Sequence, residues 1–395
     1  MFNLIVIGTL GGPESRALAI DPFRRVAGAA DAAPDSEPHA LLFDGGAQDL
    51  GVLQLVDPLA IPGDGQLLFS MARGISALPG GGAMVVGFSG VRGVSTGAGL
   101  DRGFFQTNGP MQEIGTLVPI PVPSIPGLFF GSSKANAANN QGLVVGYADT
   151  LPLSASLDPT RHAFVFDTSS GQMSDLSTLA PDPNNPGQFL GDSEATGINS
   201  QGQIVGVSDT GQFDANNQPI RHAFFFDPNA GQMQDLGTLL PDPNNPGQFL
   251  GSSEARAINN QGQIVGMSDS ADPAGGSVQR AFLLDSSSAQ MRDLGTLRSD
   301  PNNQGQFLGS SAANAINDNG VVVGVADTDA LDANSNRVRH GCMWDPTISH
   351  PTDLNDPPLP GGWTLVEATG INNPVDICGQ GVDAAGTKRG MLLFV

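Results

Sequence analysis

Residues 193–209 read SEATGINSQGQIVGVSD, and residues 221–239 read RHAFFFDPNAGQMQDLGTL. SEATGIN (193–199) and QIVGVSD (203–209) are strand-like runs joined by Ser200-Gln201-Gly202, a turn in which glycine supplies the positive φ. A polar loop, DTGQFDANNQPI (209–220), leads to a third strand, RHAFFFD (221–227). PNAGQ (228–232) then turns the chain into a fourth strand, MQDLGTL (233–239). The linker LPDPNNPGQFLG (240–251) nearly duplicates APDPNNPGQFLG (180–191), so the unit repeats.

The repeat extends over the whole chain. Gly28, Gly87, Gly146, Gly206, Gly266, Gly324 and Gly379 each end a β-like run, and subtraction gives spacings of 59, 59, 60, 60, 58 and 55 residues. The third strand recurs as HALLFD (39–44), RGFFQT (102–107), RHAFVFD (161–167), QRAFLLD (279–285), RHGCMWD (339–345) and RGMLLFV (389–395). The fourth recurs as QDLGVL (48–53), QEIGTL (112–117), SDLSTL (174–179) and RDLGTL (292–297). Four short antiparallel strands per unit, repeated seven times, predict an all-β, seven-bladed β-propeller occupying residues 1–395 as one domain. The seventh unit (363–395) ends one strand short, and NLIVIGTL (3–10) has the fourth-strand pattern. The N-terminal strand is therefore expected to complete the last blade and close the ring, which removes exposed sheet edges.

Composition bounds the partners. The 395 residues carry 17 basic and 39 acidic side chains, a formal net charge of −22. Such a surface repels nucleic-acid phosphates and anionic lipid, so neither is an expected partner. No apolar run approaches the ~18 residues of a membrane span. The start, MFNLIVIGTLGG, lacks the basic region of a signal peptide. Cys342 and Cys378 form no metal motif; they are expected as separate buried thiols, with one bridge as the alternative.

The units resemble the HAF family of bacterial extracellular repeats. The residues that carry the resemblance are AxxIN…GQIVG (195–206, 255–266), His-Ala-Phe (162–164, 222–224) and DLGTL (235–239, 293–297). The resemblance implies an exported or surface-linked β-propeller and brings no catalytic residues with it.

Candidate chemistry competes with repeat structure at every position. His39, His162, His222 and His340 share one repeat position, so a ring would spread them apart, and a structural hydrogen bond is expected of each. His350 is isolated and expected to be exposed. Arg102, Arg161, Arg221, Arg280, Arg339 and Arg389 read as one repeated position, expected to form a salt-bridge belt with aspartates such as Asp227 or Asp235. Asp327, Asp329, Asp332 and Asn334, with Asn336, offer oxygen ligands for calcium, as do Asp182, Asn184 and Asn185 and their repeats at 242–245 and 300–303. The same residues are ordinary turn formers, and the EF-hand pattern is not met.

The first strand, rich in Ala and Gly, is expected to be innermost. Two of its positions vary between units: Arg16, Met71, Lys134, Glu194, Glu254, Ala312, Glu367, and then Leu18, Arg73, Asn136, Thr196, Arg256, Asn314, Thr369. Arg16, Arg73, Lys134, Glu194, Glu254, Arg256 and Glu367 are accordingly the expected ligand-binding set at the channel mouth. The leading expectation is a non-enzymatic binding or structural propeller for a glycan or protein. The alternative is a polymer-active hydrolase or lyase that uses Glu194, Glu254 and Glu367 for acid–base work, with or without calcium. A recently amplified repeat kept for stability or assembly is a third reading.

Overall fold

A computed structural model describes residues 2–33, 37–54, 66–93, 99–118, 131–153, 159–245, 247–285, 290–348 and 350–394. Among these, seven four-stranded antiparallel sheets form the seven blades of a propeller. Blade four is representative, with strands Ser193–Ile198, Ile204–Phe213, Pro219–Phe226 and Met233–Asp235 hydrogen-bonded in that order. The first strands of successive blades touch in sequence around an axis, and that of blade one (Gly11–Ile20) touches that of blade seven (Thr364–Ile371). As expected, the N-terminal segment closes the ring. Asn3–Val6 pairs antiparallel with Lys388–Phe394, from Asn3 opposite Phe394 to Val6 opposite Met391. No described helix is long and apolar enough to cross a membrane.

The periodic glycines have a steric cause. In every blade the first strand carries a bulge one residue after its buried alanine, as between Ala195 and Gly197 or between Ala255 and Ala257. The alanine pairs with the glycine of the second strand: Ala17 with Gly28, Ala195 with Gly206, Ala368 with Gly379. A Cβ on that glycine would overlap the carbonyl oxygen of the residue before the alanine, in all seven blades. Any larger residue would push the two strands apart. The bulge leaves one first-strand residue unpaired and re-aims its side chain. That residue is Leu18, Arg73, Asn136, Thr196, Arg256, Asn314 or Thr369, which is the second variable position.

The core lies between blades. Phe224 and Phe226 of blade four pack with Val145, Ala163 and Leu176 of blade three, and Phe282 and Leu284 of blade five repeat this against Val205 and Ala223. Each fully buried side chain of this size contributes about 1.5–3 kcal/mol relative to exposure. The fourth strands are shorter than the pattern suggests. Met233–Asp235 stops because the Asp235 carboxylate accepts from Gly237 N at 2.7 Å, and Gly237 turns the chain at φ +66°.

Candidate functional site

The first strands enclose an axial channel with two cavities. One, of about 280 Å³, opens at the turns after the first strands and is rimmed by polar residues including Asn139, Asn199, Asn259, Asn317 and Asn372. The other, of about 290 Å³, is lined by Arg73, Asn136, Thr196, Arg256, Asn314, Thr369 and Leu18. Ile20, Ile75, Ala138, Ile198 and Ile258 line both, forming an apolar constriction between them.

The bulged residues join blade to blade. Arg73 Nη1 donates to Asn136 Oδ1 at 2.9 Å, and Asn136 Nδ2 donates to Glu194 Oε1 at 2.9 Å and Ala195 O at 2.8 Å. Thr196 Oγ1 donates to Ala255 O at 2.7 Å, and Arg256 Nη1 to Asn314 Oδ1 at 2.6 Å. Asn314 Nδ2 donates to Glu367 Oε1 at 2.9 Å and Ala368 O at 2.8 Å, and Thr369 Oγ1 reaches Ala17 O at 2.9 Å. The geometry thus separates the predicted ligand set. Arg73 and Arg256 line the cavity. Glu194, Glu254 and Glu367 are anchored beside it, Glu254 by Arg256 Nε at 3.0 Å. Lys134 lies outside the lining, 3.1 Å from Asp101 Oδ2 and 4.2 Å from the centre of the Phe88 ring. Arg16 is exposed and also lies outside it.

Two further belts escaped the sequence reading. In six blades a buried first-strand serine bridges to the preceding blade. Ser253 Oγ accepts from Ala223 N at 2.9 Å and donates to Gly237 O, and Ser15, Ser70, Ser133, Ser193 and Ser311 repeat the arrangement. Blade seven has Val366 at that position, and Asn355 substitutes by bonding both Leu365 N and Leu365 O. The second belt consists of buried asparagines at the first turn. Asn199 Oδ1 accepts from Gln201 N and Gln203 N, while its Nδ2 donates to Asn259 O at 3.1 Å. Asn139, Asn259, Asn317 and Asn372 do likewise, and Arg25 of blade one spans to Gly81 O and Gly82 O of blade two at 3.0 Å. The signal was present: Ser and Asn recur at fixed offsets in SEATGIN, SEARAIN and SAANAIN.

The histidines are structural, as expected, and the distances say how. His39, His162, His222 and His340 each place Nδ1 within 2.7–2.9 Å of a fourth-strand carboxylate: Asp49, Asp175, Asp235 and Asp353. His350 is exposed and meets the Phe307 ring edge-on. The arginine belt needs correction. Arg161, Arg221 and Arg339 pair within their own blades with second-strand aspartates, Asp149, Asp209 and Asp327, because Asp235 is taken by His222 and Asp227 caps its own turn. Arg102, Arg280 and Arg389 occupy the histidine position instead, as the strand registers show. Arg102 accordingly meets Glu113 at 2.8 Å where a histidine would meet aspartate. Burial pushes the Asp149 and Asp209 carboxyls up, against the backbone hydrogen bonds and arginines that favour their charge.

The calcium candidates are held apart. Asp327 accepts from Ser310 N and Arg339, Asp329 faces Arg298 at 3.1 Å, and Asp332 caps its own loop through Asn334 N and Asn336 N. Asp182, Asp242 and Asp300 each accept from the two asparagines that follow them, as turn formers do. Among the described residues no group of three or more His, Cys, Asp or Glu is gathered for a metal. Cys342 and Cys378 are buried free thiols.

A family model described as a protein of unknown function, DUF3466, matches residues 180–306, the segment around blades four and five. No curated protein matches the sequence. Among solved structures, the chain is similar to an oligogalacturonate lyase from Vibrio parahaemolyticus, at 11% identity and a TM-score of 0.46, covering 100% of this chain and 97% of that one. It is also similar to a Mycobacterium tuberculosis puromycin-hydrolyzing peptidase, at 10% identity and a TM-score of 0.44, covering 98% of this chain and 56% of that one.

Proposed function

We propose that this propeller is a non-enzymatic binding module of an exported or surface-linked bacterial protein, and that its ligand is the end of a glycan held in the axial channel. One observation carries the reading. The repeat is uniform where it builds the blades, and it diversifies at the bulged residues that converge on the 290 Å³ cavity. Those residues offer two guanidiniums (Arg73, Arg256), two carboxamides (Asn136, Asn314) and two hydroxyls (Thr196, Thr369). Such groups suit a ligand rich in hydroxyl or carboxylate oxygens. The carboxylates beside the channel are already engaged by Asn136, Arg256 and Asn314, a positioning role for the lining.

A glycan array probed with the wild type and with an Arg73→Ala/Arg256→Ala variant tests this. Wild-type binding to a family of related glycans, lost in the variant with the fold intact, is the expected result. Cleavage of the bound glycans by the wild type, abolished by Glu194→Gln or Glu254→Gln, would replace the binding module with an enzyme.

A further inference from the structure

The third strand carries a repeated core position two residues after the one aligned with Phe224. It is Phe43 in blade one, Phe166 in blade three, Phe226 in blade four, Leu284 in blade five, Trp344 in blade six and Leu393 in blade seven. Each packs in the apolar cluster facing the preceding blade. In blade two the register places Gln106 there, opposite Val85. Phe104 still packs with Ala27 and Ala40 of blade one, and the polar Gln106 stands where the other blades place an apolar side chain. There the two blades enclose a cavity of about 550 Å³. That volume lies within the ordinary range of small-ligand sites, roughly 300–1,000 Å³.

We infer that this groove between blades one and two is a second ligand site, separate from the axial channel, and that it takes a neutral sugar. Gln106 lines it: Nε2 donates to Gly109 O at 2.7 Å, while Oε1 is buried and without a hydrogen-bond partner among the described residues. Leaving a buried acceptor unpaired is costly, and a turn of the Gln106 side chain toward the groove would let a ligand hydroxyl donate to it. Gln48 and Asn108 line the walls with further amide donors and acceptors, and Leu42, Leu50 and Val85 supply an apolar side for the C–H face of a sugar ring. Arg25 also lines the groove, but its charge is met by Asp21 at 2.6 Å and its terminal nitrogens bond Gly81 O and Gly82 O. With Asp44 on the rim and a net charge of −22, nothing in the groove favours an anion.

The test is saturation-transfer NMR of the intact chain with glucose, galactose, maltose and cellobiose, followed by titration of the strongest responder. Gln106→Phe introduces the residue of blades one, three and four and refills the groove, so it should weaken binding by about tenfold or more without lowering the melting temperature. Should the phenylalanine overpack and unfold the blade, Gln106→Leu and Gln48→Ala report the same loss. Arg73→Ala, in the axial channel, should leave this binding unchanged. The inference is overturned if no sugar of the panel gives a response, if binding survives Gln106→Phe or Gln106→Leu in a folded protein, or if Arg73→Ala abolishes it.

Discussion

A single missing methyl group, at Gly206, fixes how blade four is built. The residue sits opposite Ala195, where a Cβ would meet Glu194 O, while nothing lies within 4 Å of a Cβ at the exposed Gly46. Gly206→Ala should therefore destabilise the protein by about 1–3 kcal/mol, the usual cost of overpacking. Gly46→Ala, on the same chemistry, should be near neutral. Urea denaturation of the two variants checks the contrast; equal effects would remove the steric account of the period. The glycines were legible as a period from sequence, but their reason was not. The clash involves a carbonyl on another strand, which no one-dimensional pattern displays. The same limit explains Arg102. It follows Gly87 by 15 residues, as Arg161 follows Gly146 and Arg221 follows Gly206, and only the register Ser89–Arg102 places it with the histidines. Arg280 was legible, because QRAF (279–282) aligns it with His222 of RHAF (221–224).

At the scale of the element, turns and bulges decide most of what the polar residues do. The repeat of four strands, their order and the closing N-terminal strand could be read directly, because the strands carry apolar runs and the first turns of blades two to six carry a glycine, although Arg24 and Val375 take its place in blades one and seven. The bulge could not be read, so the two variable positions of the first strand looked equivalent. In the structure the later one lines the channel and the earlier one stands beside it. The Asp-Asn loops, offered for calcium, are turns whose carboxylates bond their own backbone. Side-chain hydrogen bonds from Asn185 and Asn245, then the backbone N–H of Asn184 and Asn244, hold Asp182 and Asp242 below the ordinary aspartate value of 3.8, and the Asn336 backbone N–H does so first for Asp332. A depressed carboxyl contributes stability above its unfolded value and loses it as pH falls through the folded one. Melting temperature should thus drop as pH is lowered below about 4. Asp332→Asn should flatten that drop; an unchanged acid profile would show that the loop contributes nothing. Asp149 and Asp209 act in the opposite sense, because burial raises them and their charged forms cost stability at neutral pH.

Over the whole molecule, seven like units form a closed ring held by three polar belts and by apolar cores between blades. The histidines, most of the paired arginines and the Asp-Asn loops belong to that construction, and this accounts for the repetition of residues that in isolation suggest chemistry. Two departures from the repeat carry the proposals: the bulged residues at the axis, and Gln106 in the groove of blade two. The central claim is that recognition occurs at the axis while the repeated polar residues hold the ring together. Hydrogen–deuterium exchange with and without the tightest glycan from the array tests it most directly. Added protection concentrated in the first strands, around Arg73, Asn136, Thr196 and Arg256, is the predicted result. Protection confined to the outer third and fourth strands, with the first strands unchanged, would contradict the account.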